Sequence, residues 1–591
     1  MQAKQAKLLD LLKNSPQFVI PIYQRNYSWT EKECRQLWKD VIRCGKSEHI
    51  PIHFIGSVVY VESGQYQVTN QKSLLVIDGQ QRLTSITLLL SALAKAVENT
   101  EPVNGFSQIK IRHYYLLNPL EEGERRFKLL LSKNDKETLT ALVEGENLPQ
   151  NFSIRVNENY LLFQKWIDEN KEDITTLCLG LDKLMIVDIA LHRDQDNPQL
   201  IFESMNSTGK DLSQADLIRN FILMGLEPDF QTRLYEQFWR PMEVGFGQEA
   251  YDTYFDGFMR HYLTVKTGKI PNINAVYEEY KDYFSKTRQE YQNDKEHVES
   301  LVNSLKNYSR YFCAMVLNKE INQELKRAFD DLRELKVDIV YPFLLELYDD
   351  YENTKLPLND FVIVVRWIEA YVFRRAVCGI PTNSMNRTFA VFSKDLKKEH
   401  YLESIAANFL FLPTYRRFPS DTEFEHEIQN RNLYNFGKSK YWLRRLENYG
   451  RRELVSVGDY TIEHIMPQNE NLSEEWRKDL GDNWQETQQN YLHTLGNLTL
   501  TGYNSEYSDR PFKEKRDLEG KGFKFSPLKM NDGLGSLEVW NEDAIKIRAS
   551  KLAKKALEVW KIPVLSKDVF DSYCIGSQQV GSELEDTDEG D

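Results

Sequence analysis

Short β-branched and aromatic runs in the first 226 residues predict a sheet accompanied by helices. His53–Val61, Ser73–Ile77 and Lys183–Ala190 have strand character, and the apolar run that follows Arg82 predicts a helix to about Val97. Helical periodicity also occurs at the start of the chain and in two later stretches, Met1–Asn14, Glu121–Leu131 and Asn157–Glu169.

The rest of the chain changes from helical to mixed periodicity. From about 227 to 430, apolar and aromatic residues recur at i, i+3 and i+4, which predicts a nearly all-helical region, including a helix Ala328–Leu347 kinked at Pro342. After 431, two β-prone runs, Thr461–Ile465 and Asn497–Thr501, precede a helical basic segment. We therefore predict an α+β multidomain protein of four parts, residues 1–226, 227–430, 431–561 and a flexible acidic tail at 562–591.

Length, charge and cysteine content narrow the functional classes. The 591-residue chain has a net charge of −14, so contact with nucleic acid would depend on local basic clusters such as Arg444–Arg445 and Lys513–Arg516. No run of 18 apolar residues is present, which argues against a membrane span. Six scattered cysteines form no CxxC pair, so a reduced cytoplasm is the simplest interpretation.

The two β-prone runs near the C-terminus carry residue types that phosphodiester hydrolysis needs. The reaction requires a base that activates water, a cation that offsets developing charge, and a group that fixes the base. His464 lies beside an acid at a strand end and is the candidate base. His493 is better explained as a structural residue.

Other side chains of the same segment complete a one-metal nuclease skeleton of strand, strand and helix. Glu463 and Asn504 offer oxygen ligands of the kind that Mg²⁺ or Mn²⁺ prefers. Asn497 can hold the His464 loop by hydrogen bonds, and Lys515 can bind the phosphate. A lone Glu-His pair would more often be a buried structural histidine beside a turn, but the whole spaced set favours a nuclease.

A strand–turn–helix arrangement at Asp78–Arg82 predicts an anion site in the N-terminal part. The start of the helix presents backbone N–H groups, and Gly79 permits the tight turn and the close approach of a phosphate. Arg82 and Arg25 can clamp phosphate oxygens, while Asp78 can hold a metal or orient water. The simpler alternative is an ordinary Asp-Gly turn in which Asp78 caps the helix.

These motifs resemble a known family. EHIMPQ…LGNLTLTGYNSEYSDRPFKEKR is similar to the C-terminal His-Me finger (HNH) module of GmrSD-type, Type IV, modification-dependent restriction endonucleases. IPIYQRNYSW…FIGSVV…VIDGQQRLTSITLLL and IFESMNSTGKDLSQADLIRNFIL resemble the ParB-like nucleotidase domain of the same family. The family pattern often has an Asn where this chain has Asp509, which leaves the second metal-side ligand open.

The resemblance implies roles for residues in both modules. In the nuclease module it implies His464 as general base, Glu463 and Asn504 as metal ligands, and Asn497 as the loop-fixing residue. In the N-terminal module it implies a nucleotide site lined by Gln24, Arg25, Asp78, Gln80, Gln81, Arg82 and Asn206.

Two hypotheses of function follow. The first is an NTP-dependent or NTP-regulated, divalent-metal-dependent DNA endonuclease that cleaves modified phage DNA. Its expected partners are double-stranded DNA and a nucleoside triphosphate, with a homodimer left open. The second is a nucleotide-dependent DNA-binding or regulatory protein whose nuclease module is inactive or acts on RNA.

Overall fold

The computed structural model describes residues 2–62, 73–191, 196, 199, 201–203, 212–394 and 396–580. These residues form two compact units. The first contains residues 1–244 and 274–303, and the second contains residues 245–273 and 304–591. The predicted division at 226, 430 and 561 stays a prediction. By contacts, most of the predicted helical region belongs to the same unit as the C-terminal module.

A six-stranded mixed sheet forms the centre of the first unit, in the order β1-β6-β3-β4-β2-β5. β1 and β6 are antiparallel, as are β3 and β4, whereas β6–β3, β4–β2 and β2–β5 are parallel. The strands are β1 Gln2–Lys7, β2 Phe18–Val19, β3 His53–Glu62, β4 Leu74–Asp78, β5 Leu129–Leu130 and β6 Leu184–Leu191.

Apolar helices cover this sheet and form its core. The helix α3 is buried along almost its whole length, and its leucines pack with the apolar residues of α1, α2, α6 and α7. The helices of this part of the chain are α1 Leu8–Asn14, α2 Glu31–Lys46, α3 Gln80–Ala96, α4 Gln108–Ile111, α5 Lys133–Glu144, α6 Ile154–Glu169, α7 Ile174–Asp182, α8 Gln214–Leu223, α9 Pro228–Leu234 and α10 Arg240–Phe246.

Helices continue through the middle of the chain, as the periodicity predicts. Aromatic side chains fill the helix interfaces there; Phe246, for example, stacks on Phe312 at 5.9 Å between ring centres. The bounds are α11 Gln248–Thr267, α12 Val276–Thr287, α13 Asp294–Val316, α14 Gln323–Glu334, α15 Tyr341–Glu352, α16 Leu358–Val377, α17 Met385–Val391, α18 Tyr401–Leu410 and α19 Asp421–Asn430.

The C-terminal module contains a two-stranded antiparallel sheet of β7, Thr461–His464, and β8, Leu498–Thr501. Short helices surround it, and its core includes three buried tryptophan and phenylalanine rings, Trp476, Phe512 and Trp540. The helices are α20 Ser439–Asn448, α21 Glu474–Leu480, α22 Trp484–Tyr491, α23 Asn504–Tyr507, α24 Phe512–Asp517, α25 Glu542–Val559 and α26 Lys567–Val580.

Several predicted elements are wrong. Residues Gln2–Lys7 form a strand rather than the start of a helix, because they pair with β6. Glu121–Leu131 contains a single 3-10 turn and the short strand β5 in place of a helix. The predicted kink at Pro342 is instead a break between α14 and α15, with the proline in the first turn of α15.

The predicted flexible tail is also partly structured. Residues Lys567–Val580 form the helix α26, and Phe570 packs on Phe411 with 4.8 Å between ring centres. The ammonium of Lys397 lies 4.6 Å from the centre of the Tyr573 ring. The last eleven positions, 581–591, lie outside the described residues. Within the described ranges no helix is both long and apolar enough to span a membrane.

Candidate active site

The β7–β8 pair sets the frame of the C-terminal site. Thr461 pairs with Thr501 at one end of the sheet, and His464 pairs with Leu498 at the other. Glu463 and His464 are the last two residues of β7. Both are buried, with 3% and 4% of their surface exposed.

The imidazole of His464 is held by two aromatic neighbours. Its Nε2 lies 3.0 Å from Nδ1 of His493. The Tyr434 ring packs on His464 with 4.5 Å between ring centres and stacks on His493 at 5.3 Å and 10°. Burial, followed by the charges of His493 and Lys515, lowers the pKa of His464 to about 3. The ring is therefore neutral near pH 7, which is the form that can accept a proton.

The second ring nitrogen of His464, Nδ1, is not used by the contact with His493. Nδ1 has no hydrogen-bond partner among the described residues, and it is not among their solvent-shielded unpaired atoms. The carbonyl of His464 accepts a hydrogen bond from Lys515 at 3.2 Å. The residue is thus fixed through its backbone and Nε2, while Nδ1 stays available to water.

Lys515 does not occupy the predicted phosphate-binding position. Its side chain is fully buried, and Nζ donates to Glu463 Oε1 at 2.7 Å and to the carbonyls of His464 and Ile465 at 3.2 and 3.1 Å. These contacts use all three N–H groups of the ammonium, so none remains for a phosphate. Lys515 instead fixes the end of β7 through these three hydrogen bonds.

Glu463 is a partly engaged carboxylate. Burial raises its pKa to about 7 even though Lys515 lowers it, and the nearby Asp509 raises it further. Oε1 is engaged by Lys515, and Oε2 has no hydrogen-bond partner among the described residues. One oxygen of the predicted metal ligand is therefore available.

Asn497 is fully buried and holds the loop after His464, as its predicted role requires. Its Oδ1 accepts from the backbone N–H of Met466 at 2.7 Å and from Trp540 Nε1 at 3.2 Å. Its Nδ2 donates to the carbonyls of Met466 and Leu492 at 3.0 and 2.9 Å. One amide thus joins the loop after β7 to the segment before β8.

Asn504 lies at the surface beside β7. Its Nδ2 donates to the carbonyl of Ile462 at 3.3 Å, which leaves Oδ1 for another ligand. Among the described residues no cluster of three or more His, Cys, Asp or Glu side chains could hold a metal ion. The donor set of Glu463 and Asn504 nevertheless fits a hard cation such as Mg²⁺, which commonly takes one or two protein oxygens and completes its shell with water.

The basic cluster Arg444–Arg445 is consumed by internal ion pairs. Arg444 contacts Asp331 at 2.6 Å, and Arg445 contacts Glu369 at 2.7 Å. Asp331 and Glu369 are buried. These arginines therefore attach α20 to α14 and α16, and they are not a phosphate-binding surface.

The predicted anion turn of the first unit has the expected backbone. Gly79 has a φ of +97°, and a Cβ there would come within 2.8 Å of the Ser57 carbonyl, so only glycine fits. Asp78 does not cap the helix; its Oδ2 lies 3.4 Å from Ser57 Oγ and 3.8 Å from Arg82 Nη1. Arg82 donates from Nη1 to the Ser57 carbonyl at 2.8 Å.

Two of the predicted nucleotide-site glutamines have their amides hydrogen-bonded to backbone groups. Gln24 Nε2 donates to the carbonyl of Ile77 at 2.9 Å. Gln81 Oε1 accepts from the N–H groups of Ser28 and Trp29 at 2.8 and 3.2 Å. They hold the 23–29 loop beside the turn.

The other predicted nucleotide-site residues differ in exposure. Gln80 is also buried, and Arg25 is half-buried with an Nε that has no partner among the described residues. Asn206 lies outside the described residues.

The sequence interpretation missed two sets of residues. His493 was assigned no role beyond structure, although it directly contacts His464. Arg219 is also buried, donates from Nε to the Tyr23 carbonyl at 2.9 Å, and pairs with Asp216 and Glu243, both at 2.7 Å. The i, i+3 spacing of Asp216 and Arg219 on one helix face was the available signal.

Comparisons with known proteins identify the family of the chain. The family model described as GmrSD restriction endonuclease, N-terminal domain, matches residues 8–223, and that of the GmrSD restriction endonucleases, C-terminal domain, matches residues 418–555. An uncharacterized protein of Methanocaldococcus jannaschii is 25% identical over 243 residues, which cover 36% of this chain and 40% of that protein. The match thus spans less than half of that relative. Because the two family models together cover more than half of the chain, the protein belongs to the GmrSD restriction endonuclease family.

Proposed function

We propose that the protein is a divalent-metal-dependent DNA endonuclease, dependent on or regulated by a nucleoside triphosphate, that cleaves modified phage DNA in the cytoplasm. The proposal gives the module around β7 and β8 a His-Me finger fold and the N-terminal sheet a ParB-like nucleotidase fold. The observation that carries it is the placement of His464 at the end of β7, with Asn497 fixing the next loop and Glu463 beside it. Family membership supports the same function.

The cleavage chemistry assigns one task to each side chain. His464 accepts a proton at Nδ1 from the water that attacks the phosphodiester. Asn497 keeps the loop after His464 in place, and Lys515 fixes Glu463 and the strand end. Glu463 and Asn504 would hold Mg²⁺ or Mn²⁺, which when bound supplies positive charge next to the phosphate.

The nucleotide site of the proposal lies at the start of α3. Gly79 has the positive φ of +97° that the tight turn needs, and Arg82 and Arg25 are the proposed phosphate-binding cations. Gln24 and Gln81 keep the loop that carries Arg25 in place. NTP hydrolysis at this site would license cutting, which protects the host genome from an ungated nuclease.

An omission series tests the proposal on the full chain. Phage DNA containing glucosylated hydroxymethylcytosine or phosphorothioate is incubated with the protein, Mg²⁺ or Mn²⁺ and a mixture of NTPs, and each component is then removed in turn. Cleavage only in the complete mixture supports the proposal. Intact DNA in every mixture, combined with NTP-dependent DNA binding, would favour the regulatory alternative.

A further inference from the structure

The pair formed by His464 and His493 carries an inference about how the base is prepared. A hydrogen bond between Nε2 of His464 and Nδ1 of His493, at 3.0 Å, requires a proton on one nitrogen and a lone pair on the other. Only two neutral arrangements satisfy this requirement. Either His464 donates from Nε2, or His493 donates from Nδ1.

The surroundings fix His493 more firmly than a surface histidine. Its ring stacks on Tyr434, and its carbonyl accepts the N–H of Leu433 at 2.9 Å. The preceding carbonyl, of Leu492, accepts from Asn497 at 2.9 Å. The stacking and the backbone hydrogen bonds therefore fix Nδ1 of His493 next to Nε2 of His464.

Intrinsic tautomer preference separates the two arrangements. Neutral imidazole side chains favour the form protonated at Nε2 over the form protonated at Nδ1. If His464 donates, both rings adopt the favoured form; if His493 donates, both adopt the disfavoured one. The first arrangement also leaves the lone pair of His464 on Nδ1, the nitrogen without a partner among the described residues.

We propose that His493 is a positioning residue whose Nδ1 accepts the Nε2–H of His464 and thereby fixes the tautomer that leaves Nδ1 of His464 as the base. The proposal rests on the nuclease function proposed above. In the reaction, the water oxygen forms a bond to phosphorus while its proton moves to Nδ1 of His464. The P–O bond to the leaving oxygen breaks, and that oxygen takes a proton from solvent. The resulting imidazolium keeps its hydrogen bond to His493.

Two variants separate positioning from structure. His493→Phe keeps an aromatic ring against Tyr434 and removes the acceptor, whereas His493→Asn keeps an oxygen acceptor near the position of Nδ1. We expect cleavage by the Phe variant to fall about 100-fold or more, in the range typical of losing an oriented general base, and the Asn variant to recover most of that loss. DNA binding and melting temperature should stay close to those of the wild type in the Asn variant.

A spectroscopic readout tests the tautomer independently of cleavage. Nitrogen-15 NMR of the full chain labelled at histidine, with the His464 signals assigned by their absence in His464→Gln, reports which nitrogen carries the proton. The proposal expects Nε2–H in the wild type and a mixture of tautomers in His493→Phe. A wild-type His464 protonated at Nδ1, or full cleavage by His493→Phe, would overturn it. If the wild type cuts no DNA but shows the expected tautomers, the nuclease proposal fails and the hydrogen-bonded pair stands.

Discussion

Lys515 Nζ lies 2.7 Å from Glu463 Oε1, and both side chains are buried behind the end of β7. The same ammonium donates to the carbonyls of His464 and Ile465. A lysine in a basic helical segment thus acts as an internal support for the candidate base and its neighbouring carboxylate. This relationship separates residues that build the site from residues that meet the substrate.

Substitution of Lys515 should destabilise the protein. Lys515→Met leaves the carbonyls of His464 and Ile465 without their donor. Because burial already raises the pKa of Glu463 to about 7, that carboxyl takes up a proton in the variant, and we expect a loss of about 1–3 kcal/mol in the free energy of unfolding. Denaturant unfolding of the full chain, compared with that of the wild type, measures this loss. Lys513→Met, on the exposed side of the same helix, is the matched control and should unfold like the wild type. Normal stability of Lys515→Met with weaker DNA binding would restore the phosphate-binding role.

The two asparagines should behave differently from each other. Asn497→Ala leaves buried backbone groups of the His464 loop unpaired, and we expect it to lower stability by about 3 kcal/mol. Asn504→Ala removes one hydrogen bond of 3.3 Å at the surface, so its stability should change by less than about 1 kcal/mol while metal-dependent cleavage is lost. Thermal melting and cleavage assays on both variants measure the contrast. Wild-type cleavage by Asn504→Ala would remove it from the proposed metal site.

Arg82 should be needed for NTP hydrolysis. Arg82→Ala removes a partly exposed guanidinium beside the Asp78–Gly79 turn, and we expect hydrolysis to be abolished with a stability loss of about 1 kcal/mol from the bond to the Ser57 carbonyl. Phosphate release measures the activity. Arg35→Ala, which loses an exposed pair with Glu31, is the control and should hydrolyse NTP normally. Normal turnover by Arg82→Ala would contradict the assignment.

A histidine in the helical region predicts a pH dependence of stability. Burial among aromatic rings, including Phe312 and Tyr341, lowers the pKa of His261 to about 4. Between pH 6.5 and 4 the unfolded chain binds a proton there that the folded chain does not, so stability falls as the pH falls, by at most about 3 kcal/mol. Melting of His261→Phe should lose this component of acid sensitivity. His400→Gln, at an exposed site, should follow the wild type, and an identical acid response in His261→Phe would refute the prediction.

Much of the candidate nuclease site could be predicted from local sequence. β7 and β8 end within one residue of the predicted runs. Both runs are rich in β-branched residues and are followed by a proline or a glycine, which commonly ends a strand. The loop-fixing role of Asn497 also followed from chemistry, since a buried amide beside an irregular segment must satisfy backbone groups.

The errors concern pairings between distant residues. β1 contains two alanines among four polar residues and has little intrinsic strand preference. Its pairing with β6, about 180 positions away, decides its structure. The basic segment around Lys515 predicts a phosphate ligand. Its burial depends on a contact with Glu463, 52 positions away, which the local sequence does not show. His493 likewise shows no local signal of its contact with His464, 29 positions earlier.

The most direct test of the account compares cleavage by His464→Ala with cleavage by His426→Ala, a control at an exposed histidine of the same unit. Both variants are mixed with modified phage DNA, Mg²⁺ and NTP at concentrations that saturate DNA binding. The account predicts that His426→Ala cuts like the wild type, whereas His464→Ala binds DNA and hydrolyses NTP but cuts at least about 100-fold more slowly. Wild-type cutting by His464→Ala would contradict it.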